Sequence, residues 1–563
     1  TIAWAVLVSL LVSFTLTPML AAVWKGKSHA HAKKTSFRRL FDNGFDRFAS
    51  LYERAIHWVL RHRKTTVIVA FASLVGAFLL LPFIGGGFMP DQDNGEFTVV
   101  FETPTDSSFE YTVDKARELD AKLRAMPGVQ KTYTTVGAGL TGTVTRGEIF
   151  VDLVPRGERS VALKDFMQNA RTALTSIYNV EASVLTGGGM GGAQKPLQVV
   201  LRGEDIDELQ RLSGEVMKSV ARAQGAIEVE SSLGEPKPEV QLRVDIDKAH
   251  DLGLDVAQIA SAVQPLVAGS TATRWEDPQG EERDVVVRLP RTDRASMTSL
   301  ANIPITTPQG ATISLGEVAS LTRSASAAEI NRENLERVAT VSANLAPGAN
   351  IGDVSNAITV ELAKLRVPAG YTISLGGETE QLAETTGFVL ESLFLAIVLI
   401  YLILASQFGS FTQPIAIMMS LPLSLVGVMA ALLLTGDTLN MMSMIGVILL
   451  MGLVTKNAIL LVDNANQRRE EGVAMFEALA EAGKARLRPI MMTTLAMIFG
   501  MLPIALGLGE GGEFRAPMAR AVIGGLITST ALTLIVVPVI YSYLEGFSAR
   551  VLARFRREEL ATA

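Results

Sequence analysis

The sequence predicts an α-helical polytopic membrane protein of seven spans, interrupted by one large α+β insertion. Three observations carry this. Seven apolar stretches have membrane length or come close to it: Ile2–Val23, Thr65–Ile84, Phe388–Leu404, Pro414–Leu434, Leu439–Val462, Ile490–Leu508 and Ala521–Leu544. A helix needs about 20 apolar residues to cross a bilayer. Between the second and third stretch lie roughly 300 residues of ordinary globular composition. Third, the basic residues are segregated: eleven Lys/Arg against three acids in Lys25–Lys64, five in Asp463–Pro489 and four after Phe547. The positive-inside rule places those segments in the cytoplasm and the insertion on the far side.

In chain order, Ile2–Val23 runs inward and has neither a basic n-region nor an A-x-A cleavage pattern, so it does not read as a signal peptide. Residue 1 is Thr and opens directly into an apolar span, so the chain is expected to begin partway through a larger protein. Ser36–Arg63 carries apolar residues at spacings of three and four with basic residues between them. That pattern fits a helix on the cytoplasmic membrane face, and equally a packed linker helix. Thr65–Ile84 crosses outward and breaks at Gly85-Gly86-Gly87.

Within the insertion, Glu96–Glu102, Val129–Val136, Glu148–Leu153 and Val180–Val184 read as strands, and Ser107–Met126 and Leu163–Ile177 as helices. The order is βαββαβ, a split-βαβ plan. A second such unit starts at Leu197–Arg202, Ile206–Ala223 and Ile227–Glu230 and resumes only at Arg337–Asn344, Ile351–Leu365 and Tyr371–Leu375. Val240–Glu336 is therefore inserted into the second unit, and the repetition points to duplication. The remaining spans alternate inward and outward. Gly507–Arg520 places Arg515 and Arg520 on the outer side, an exception to the charge rule.

Lys456 is the one formal charge in the 24 residues of Leu439–Val462. A lysine at mid-membrane costs about 2.5–3.5 kcal/mol on insertion scales, so it calls for a reason. Snorkelling is one, since six residues, about 9 Å of helix, separate it from Val462. The other is an ion-pairing or proton-linked lysine facing the bundle interior. Asn457 beside it puts a second polar group at the same depth.

Other chemistry finds little support. No G-x-x-x-x-G-K-[ST] occurs, and Gly187–Gly192 lacks the Lys-Ser/Thr that would complete a phosphate loop. The five histidines form no cluster with carboxylates at metal spacing, and there is no cysteine for a thiolate site or a disulfide. Methionines crowd the spans, and thioethers select Cu(I); filling gaps between apolar helices is the simpler reading. The isolated Met126, Met167, Met190, Met217 and Met297 of the insertion read the same way. Basic residues next to spans are expected, so Lys25–Lys64 gives no case for nucleic acid.

Several stretches resemble the resistance–nodulation–division (RND) exporters. Glu329–Asn344 (EINRENLERVATVSAN) is similar to that family's I-x-R-x-N…R…V-x-A-N signature. Ala405–Gly427 (ASQFGSFTQPIAIMMSLPLSLVG) resembles its cytoplasmic turn and the helix after it, and Phe88–Phe97 (FMPDQDNGEF) the approach to its periplasmic porter domain. Gly452–Asp463 (GLVTKNAILLVD) and Arg486–Leu495 (RLRPIMMTTL) resemble its tenth and eleventh membrane helices. The likeness spans the chain but only the C-terminal half of the family's usual length, from the sixth helix on.

The resemblance implies residues 1–24 as helix 6, 25–64 as a cytoplasmic linker, 65–84 as helix 7, 388–545 as helices 8–12 and 546–563 as a cytoplasmic tail. It further implies porter subdomains at 85–194 and at 195–239 with 337–380, and a docking subdomain at 240–336. Lys456 matches the lysine that meets paired aspartates on the fourth helix, which would lie in the other half. Arg486 and Thr493 match members of the same proton relay, with Asn457 beside the lysine. The loop Gly137–Gly147 matches one between two drug pockets. Ala138 and Leu140 stand there where drug pumps carry aromatic residues, while Tyr133 and Phe150 keep aromatic character at its flanks.

GLVTKNAILLVD favours the hydrophobic and amphiphilic, acriflavine-resistance-type branch. The alternatives are a heavy-metal exporter and a non-exporting translocation auxiliary; auxiliaries lack a docking-like insertion. The resemblance thus implies a secondary transporter of the Gram-negative inner membrane, not an enzyme, with a proton gradient in place of any cofactor. Implied partners are two further protomers completing a homotrimer, a periplasmic membrane-fusion adaptor, an outer-membrane channel and small amphiphilic substrates.

Overall fold

The computed structural model describes residues 2–23, 36–90, 92–137, 143–186, 194–234, 237–326, 329–509 and 511–562. The chain opens with helices α1 (Ile2–Val23), α2 (Ser36–Arg61) and α3 (Arg63–Leu80). On α2 the buried residues Tyr52, Ile56, Val59 and Leu60 recur at helical spacing and share a core with Leu479, Ala482 and Leu487. Tyr52 Oη donates to the Leu534 carbonyl at 3.0 Å. The helix is thus docked against the bundle by one face, while Phe48, Leu51 and Trp58 remain exposed.

Past α3, the strands β1 (Glu96–Glu102), β2 (Val129–Val136), β3 (Arg146–Leu153) and β4 (Glu181–Thr186) are joined through α4 (Phe109–Arg124) and α5 (Leu163–Leu174). They form one sheet in the order β2-β3-β1-β4. Alternate residues Phe97, Val99, Phe101, Ile149, Val151 and Leu153 pack under Leu119, Leu123, Phe166 and Ala170 of the two helices, as the period of two requires.

The next unit begins with β5 (Leu197–Gly203), α6 (Ile206–Arg222) and β6 (Ala226–Ser231). It is interrupted by β7 (Lys237–Val244), α7 (Ile246–Asp251), α8 (Val256–Val267), β8 (Ser270–Glu276), β9 (Glu282–Val287), α9 (Met297–Ala301), β10 (Pro304–Thr306), β11 (Thr312–Ser314), α10 (Leu315–Val318) and β12 (Ala319–Ser326). The interruption has its own core around Ile259, Ile303, Ile305, Leu315 and Val318. An antiparallel β7–β12 ribbon carries the chain out and back. The unit then resumes with β13 (Asn331–Glu333), β14 (Glu336–Leu345), α11 (Ile351–Leu362) and β15 (Thr372–Gly377). Its sheet order is β13-β14-β5-β15 with β6 on β14. Leaving out β13, that is β6-β14-β5-β15, the order of the first sheet.

The C-terminal helices are α12 (Glu378–Phe408), α13 (Gln413–Met418), α14 (Ser420–Thr435), α15 (Met441–Glu470), α16 (Met475–Ala505) and α17 (Gly512–Thr562). Six segments of the described chain are helical, long and apolar enough to cross a membrane: Arg63–Phe83, Glu378–Phe408, Gln413–Thr435, Met441–Glu470, Met475–Ala505 and Gly512–Gly546. The seventh expected span, Ile2–Val23, is a helix, but its apolar stretch Leu7–Val23 falls among the shorter ones. Two boundaries differ from expectation. Asp463–Pro489 is mostly helix, because α15 and α16 continue past their apolar stretches, and most of Gly507–Arg520 belongs to α17.

Glycines bring α14 and α17 into close contact. A Cβ on Gly427 of α14 would lie 2.1 Å from the Gly524 carbonyl oxygen on α17, and one on Gly524 would lie 2.4 Å from that of Gly427. In lipid, helix association rests on such backbone approach. Arg520, the exception to the charge rule, is accounted for here. It donates to both carboxylate oxygens of Asp437 at 2.9 Å and to the Ala505 carbonyl at 2.8 Å, tying the α14–α15 loop to α16 and α17.

Gly85-Gly86-Gly87 is a seam rather than a bare breaker. Leu439 N donates to Gly85 O (2.8 Å), Gly87 N to Leu439 O (3.2 Å) and Gly352 N to Gly86 O (3.2 Å). The glycines thus lie between the α14–α15 loop and the first turn of α11, and a Cβ on Gly85 would meet Asn350 at 2.7 Å.

Candidate functional site

Two places carry the candidate residues. The first is the middle of α15. Asn440 caps this helix in a reciprocal arrangement with Ser443, which satisfies N-terminal amides. In its apolar part, only Gly452 and Lys456, one turn apart, are exposed. No ion pair joins Lys456 to a carboxylate among the described residues. Asn457 lies on a different face, 2% exposed. Its Nδ2 donates to Thr530 Oγ1 of α17 at 3.5 Å, and Thr530 Oγ1 is 3.2 Å from Thr494 Oγ1 of α16. Asn457 Oδ1 is buried without a partner.

Adjacency in sequence therefore does not make Lys456 and Asn457 one site, since successive helical residues point about 100° apart. Arg486 is half-buried with an unsatisfied Nε, and Thr493 turns its hydroxyl back onto the Ile490 carbonyl at 3.0 Å. No hydrogen bond joins Lys456, Arg486 and Thr493 to one another among the described residues. Thr494 and Thr530 were not legible as site residues. The pair Thr493-Thr494 offers a hydroxyl on either face, and only the helix rotation selects Thr494 for the seam with Asn457.

The second place is the open face of the first sheet. Tyr133 and Phe150 are directly opposite on β2 and β3. Phe150 is opposite Thr98, and Thr98 is opposite Leu185. One row thus crosses all four strands on the face away from α4 and α5. It grades from buried Leu185 and Thr98, through half-buried Phe150, to Tyr133 at 69% exposure. Opposed aromatic side chains on such a face offer stacking surface to an apolar molecule. Ala138 and Leu140 lie outside the described residues, as does Gly187–Gly192.

Beside this face the two α/β units are clasped edge to edge. Arg171 of α5 reaches Glu228 on β6 (3.0 Å) and the Val184 carbonyl of β4 (2.7 Å). Asn344 of β14 donates to the same two acceptors, Glu228 at 2.6 Å and Val184 O at 3.3 Å. Two donors and two acceptors close a ring, alternating between donor and acceptor around it. Lys195, its side chain 3% exposed, adds a bond to Glu228 O at 2.5 Å and a pair with Glu230 at 2.9 Å. Glu228 holds a left-handed φ of 53°, a conformation that costs a non-glycine residue about 1–3 kcal/mol and persists only where its surroundings enforce it. Asn344→Ala should destabilise the protein by about 1–3 kcal/mol by leaving buried acceptors short of a donor. Hydrogen exchange should quicken at residues 181–186 and 226–231; unchanged protection there would remove the clasp.

The AcrB/AcrD/AcrF family model matches residues 1–545. Two solved structures of a heavy metal efflux pump, in crystal forms II and I, are similar with a TM-score of 0.78 at 27% sequence identity. Each likeness covers 89% of this chain, and 53% and 52% of those chains respectively. The chain spans about half the length of the pumps it matches.

Proposed function

Because the chain belongs to the AcrB/AcrD/AcrF family, whose RND members are efflux transporters and not enzymes, we propose that it forms the C-terminal half of a proton-driven inner-membrane exporter of hydrophobic or amphiphilic compounds. The observation that carries the proton-driven part is Lys456, charged, mid-helix and on the open face of α15. Carboxylates on a facing helix of the other half can offset its cost; protonating one removes an attraction and leaves two packings of the helices. Arg486 and Thr493 relay that change along α16, and Asn457 with Thr494 and Thr530 holds α15 to its neighbours meanwhile. The α/β units act as porter subdomains and the interruption of the second as a docking subdomain. The working assembly is a homotrimer joined to a periplasmic adaptor and an outer-membrane channel.

For the substrate, the row ending in Phe150 and Tyr133 supports a greasy or aromatic molecule. Phe150→Ala in the full-length pump should shift which dyes and detergents are exported, severalfold for the most affected, with expression unchanged. An identical resistance profile across a broad panel counts against this pocket.

A second reading, heavy-metal export, is favoured by one observation, the likeness to heavy metal efflux pumps. Against it stands what the methionines do. Met167 is part of the first unit's core, and Met126 and Met217 pack against the cores of the first and second units, where thioethers fill space rather than face a cation. Metal-ion efflux by the full-length pump in proteoliposomes, with no export of amphiphilic dyes, would give the second reading precedence.

A further inference from the structure

The geometry points to Glu513 as the positioning residue through which the helix block moves the first α/β unit, an inference that rests on the proposed transport function. Glu513 lies in the first turn of α17. One of its carboxylate oxygens accepts from the Asp93 backbone amide at 3.3 Å, and the other pairs with Arg156. Arg156 lies three residues beyond β3, the strand of Phe150. Asp93 in turn pairs with the Arg159 guanidinium, whose side chain is 5% exposed, and accepts from the Leu163 amide that opens α5 at 3.1 Å. One carboxylate on a membrane helix thus reaches both the segment leading into β1 and the turn between β3 and α5.

Burial pushes the Asp93 carboxyl up, but the bond from Arg159 and the amides of Leu163 and Gly95 outweigh it and hold the group below its usual range. Asp93 therefore stays ionised where the junction operates, and its contribution is lost only as pH falls through that lowered value.

Further along, α17 carries Thr530, bonded to the residue next to Lys456. Seventeen residues separate Glu513 from Thr530, about 25 Å of helix. The Gly427–Gly524 contact and the Asp437–Arg520 pair make α14, the α14–α15 loop and α17 one block. A tilt of that block at the depth of Lys456 therefore displaces Glu513, and with it both ends of the turn beyond β3. The second unit meets the same block at a different place, through Gly85–Gly87 between Leu439 and Gly352, and it also continues directly from β15 into α12. Displacing the two units unequally through these separate contacts works against the Arg171–Glu228–Asn344 clasp between them. A chain of contacts alone does not establish coupling, which calls for a direct test.

The test uses the full-length pump in proteoliposomes under an imposed pH gradient, with substrate efflux and proton influx measured together. Glu513→Gln keeps shape and removes charge. Export should fall about tenfold, within the span of ordinary coupling energies, while proton influx and thermal stability stay near wild type. The exchange Glu513→Arg with Arg156→Glu should recover part of that export, since it restores the pair but not the acceptor for the Asp93 amide. Unchanged export in Glu513→Gln, or parallel loss of export and proton influx, overturns the inference. Lys456→Ala run alongside should abolish both fluxes, which separates the two proposals. A wild-type pump with no gradient-driven export removes the proposed function and this coupling with it.

Discussion

Lys456→Ala is expected to abolish gradient-driven export by the full-length pump while membrane insertion and assembly remain intact. The reason lies in where the side chain sits. It is on the open face of α15 and has no ion pair among the described residues, so removing it breaks no such pair there. Removal also spares the insertion penalty of about 2.5–3.5 kcal/mol, so folding of this half should not suffer. On the proposed mechanism, what is lost is the charge that a facing carboxylate alternately binds and releases. Lys456→Arg keeps that charge but changes shape and hydration, and should impair export as well. Efflux and proton flux in proteoliposomes are the measurements, with oligomer assembly checked in parallel. Wild-type efflux by well-assembled Lys456→Ala protein would leave the lysine a snorkelling bystander.

Gly427→Val should instead destroy the fold of the helix block, whatever the protein transports. Even a Cβ at this position would lie 2.1 Å from the Gly524 carbonyl oxygen and 2.0 Å from Thr528 Oγ1. The obstacle on α17 is backbone, which cannot rotate away as a side chain does, so α14 and α17 must part. Overpacking in a dense core costs about 1–3 kcal/mol where side chains can give, and here the expected loss is at or beyond the top of that range. Gly427→Ala should already lower the melting temperature in detergent, and Gly427→Val should sharply reduce the yield of folded protein. Gly500→Ala is the control: it lies in α16, and nothing stands within 4 Å of its Cβ position. A Gly427→Val protein that melts with the wild type would show that the two helices do not meet in this way.

Much of the architecture was legible from residue order. Long apolar runs became long helices, and the alternating segments around Phe97–Phe101 and Ile149–Leu153 became strands with those residues inside. The repeat of two α/β units could be seen because each writes the same periodicities in the same order. Element ends were harder. The charged continuation of α15 to Glu470 and the start of α16 at Met475 carry no apolar run, and Pro414–Leu434 reads as one stretch although α13 and α14 divide it at Met419. The amphipathic α2 could have faced lipid or protein. Tyr52 and Ile56 are buried because Leu534 and Leu487, hundreds of residues away, cover them.

The candidate sites divide along the same line. Lys456 was visible as a charged residue in apolar surroundings, while Arg486, Thr493, Tyr133 and Phe150 stood out through the family resemblance. That Tyr133 and Phe150 are direct partners depends on register, and that Lys456 and Asn457 part company depends on helix rotation. By itself the sequence determined which segments are apolar enough to cross a membrane and which alternate into sheets, because burial in lipid or under a sheet is a requirement each segment meets with its own residues. Only the tertiary structure decided that Arg520 answers Asp437, that Arg171 and Asn344 share Glu228, and that Glu513 meets Arg156. Those partners lie tens to hundreds of residues apart, and a hydrogen bond acts over about 3 Å, so their pairing exists only once the chain has brought distant backbones together.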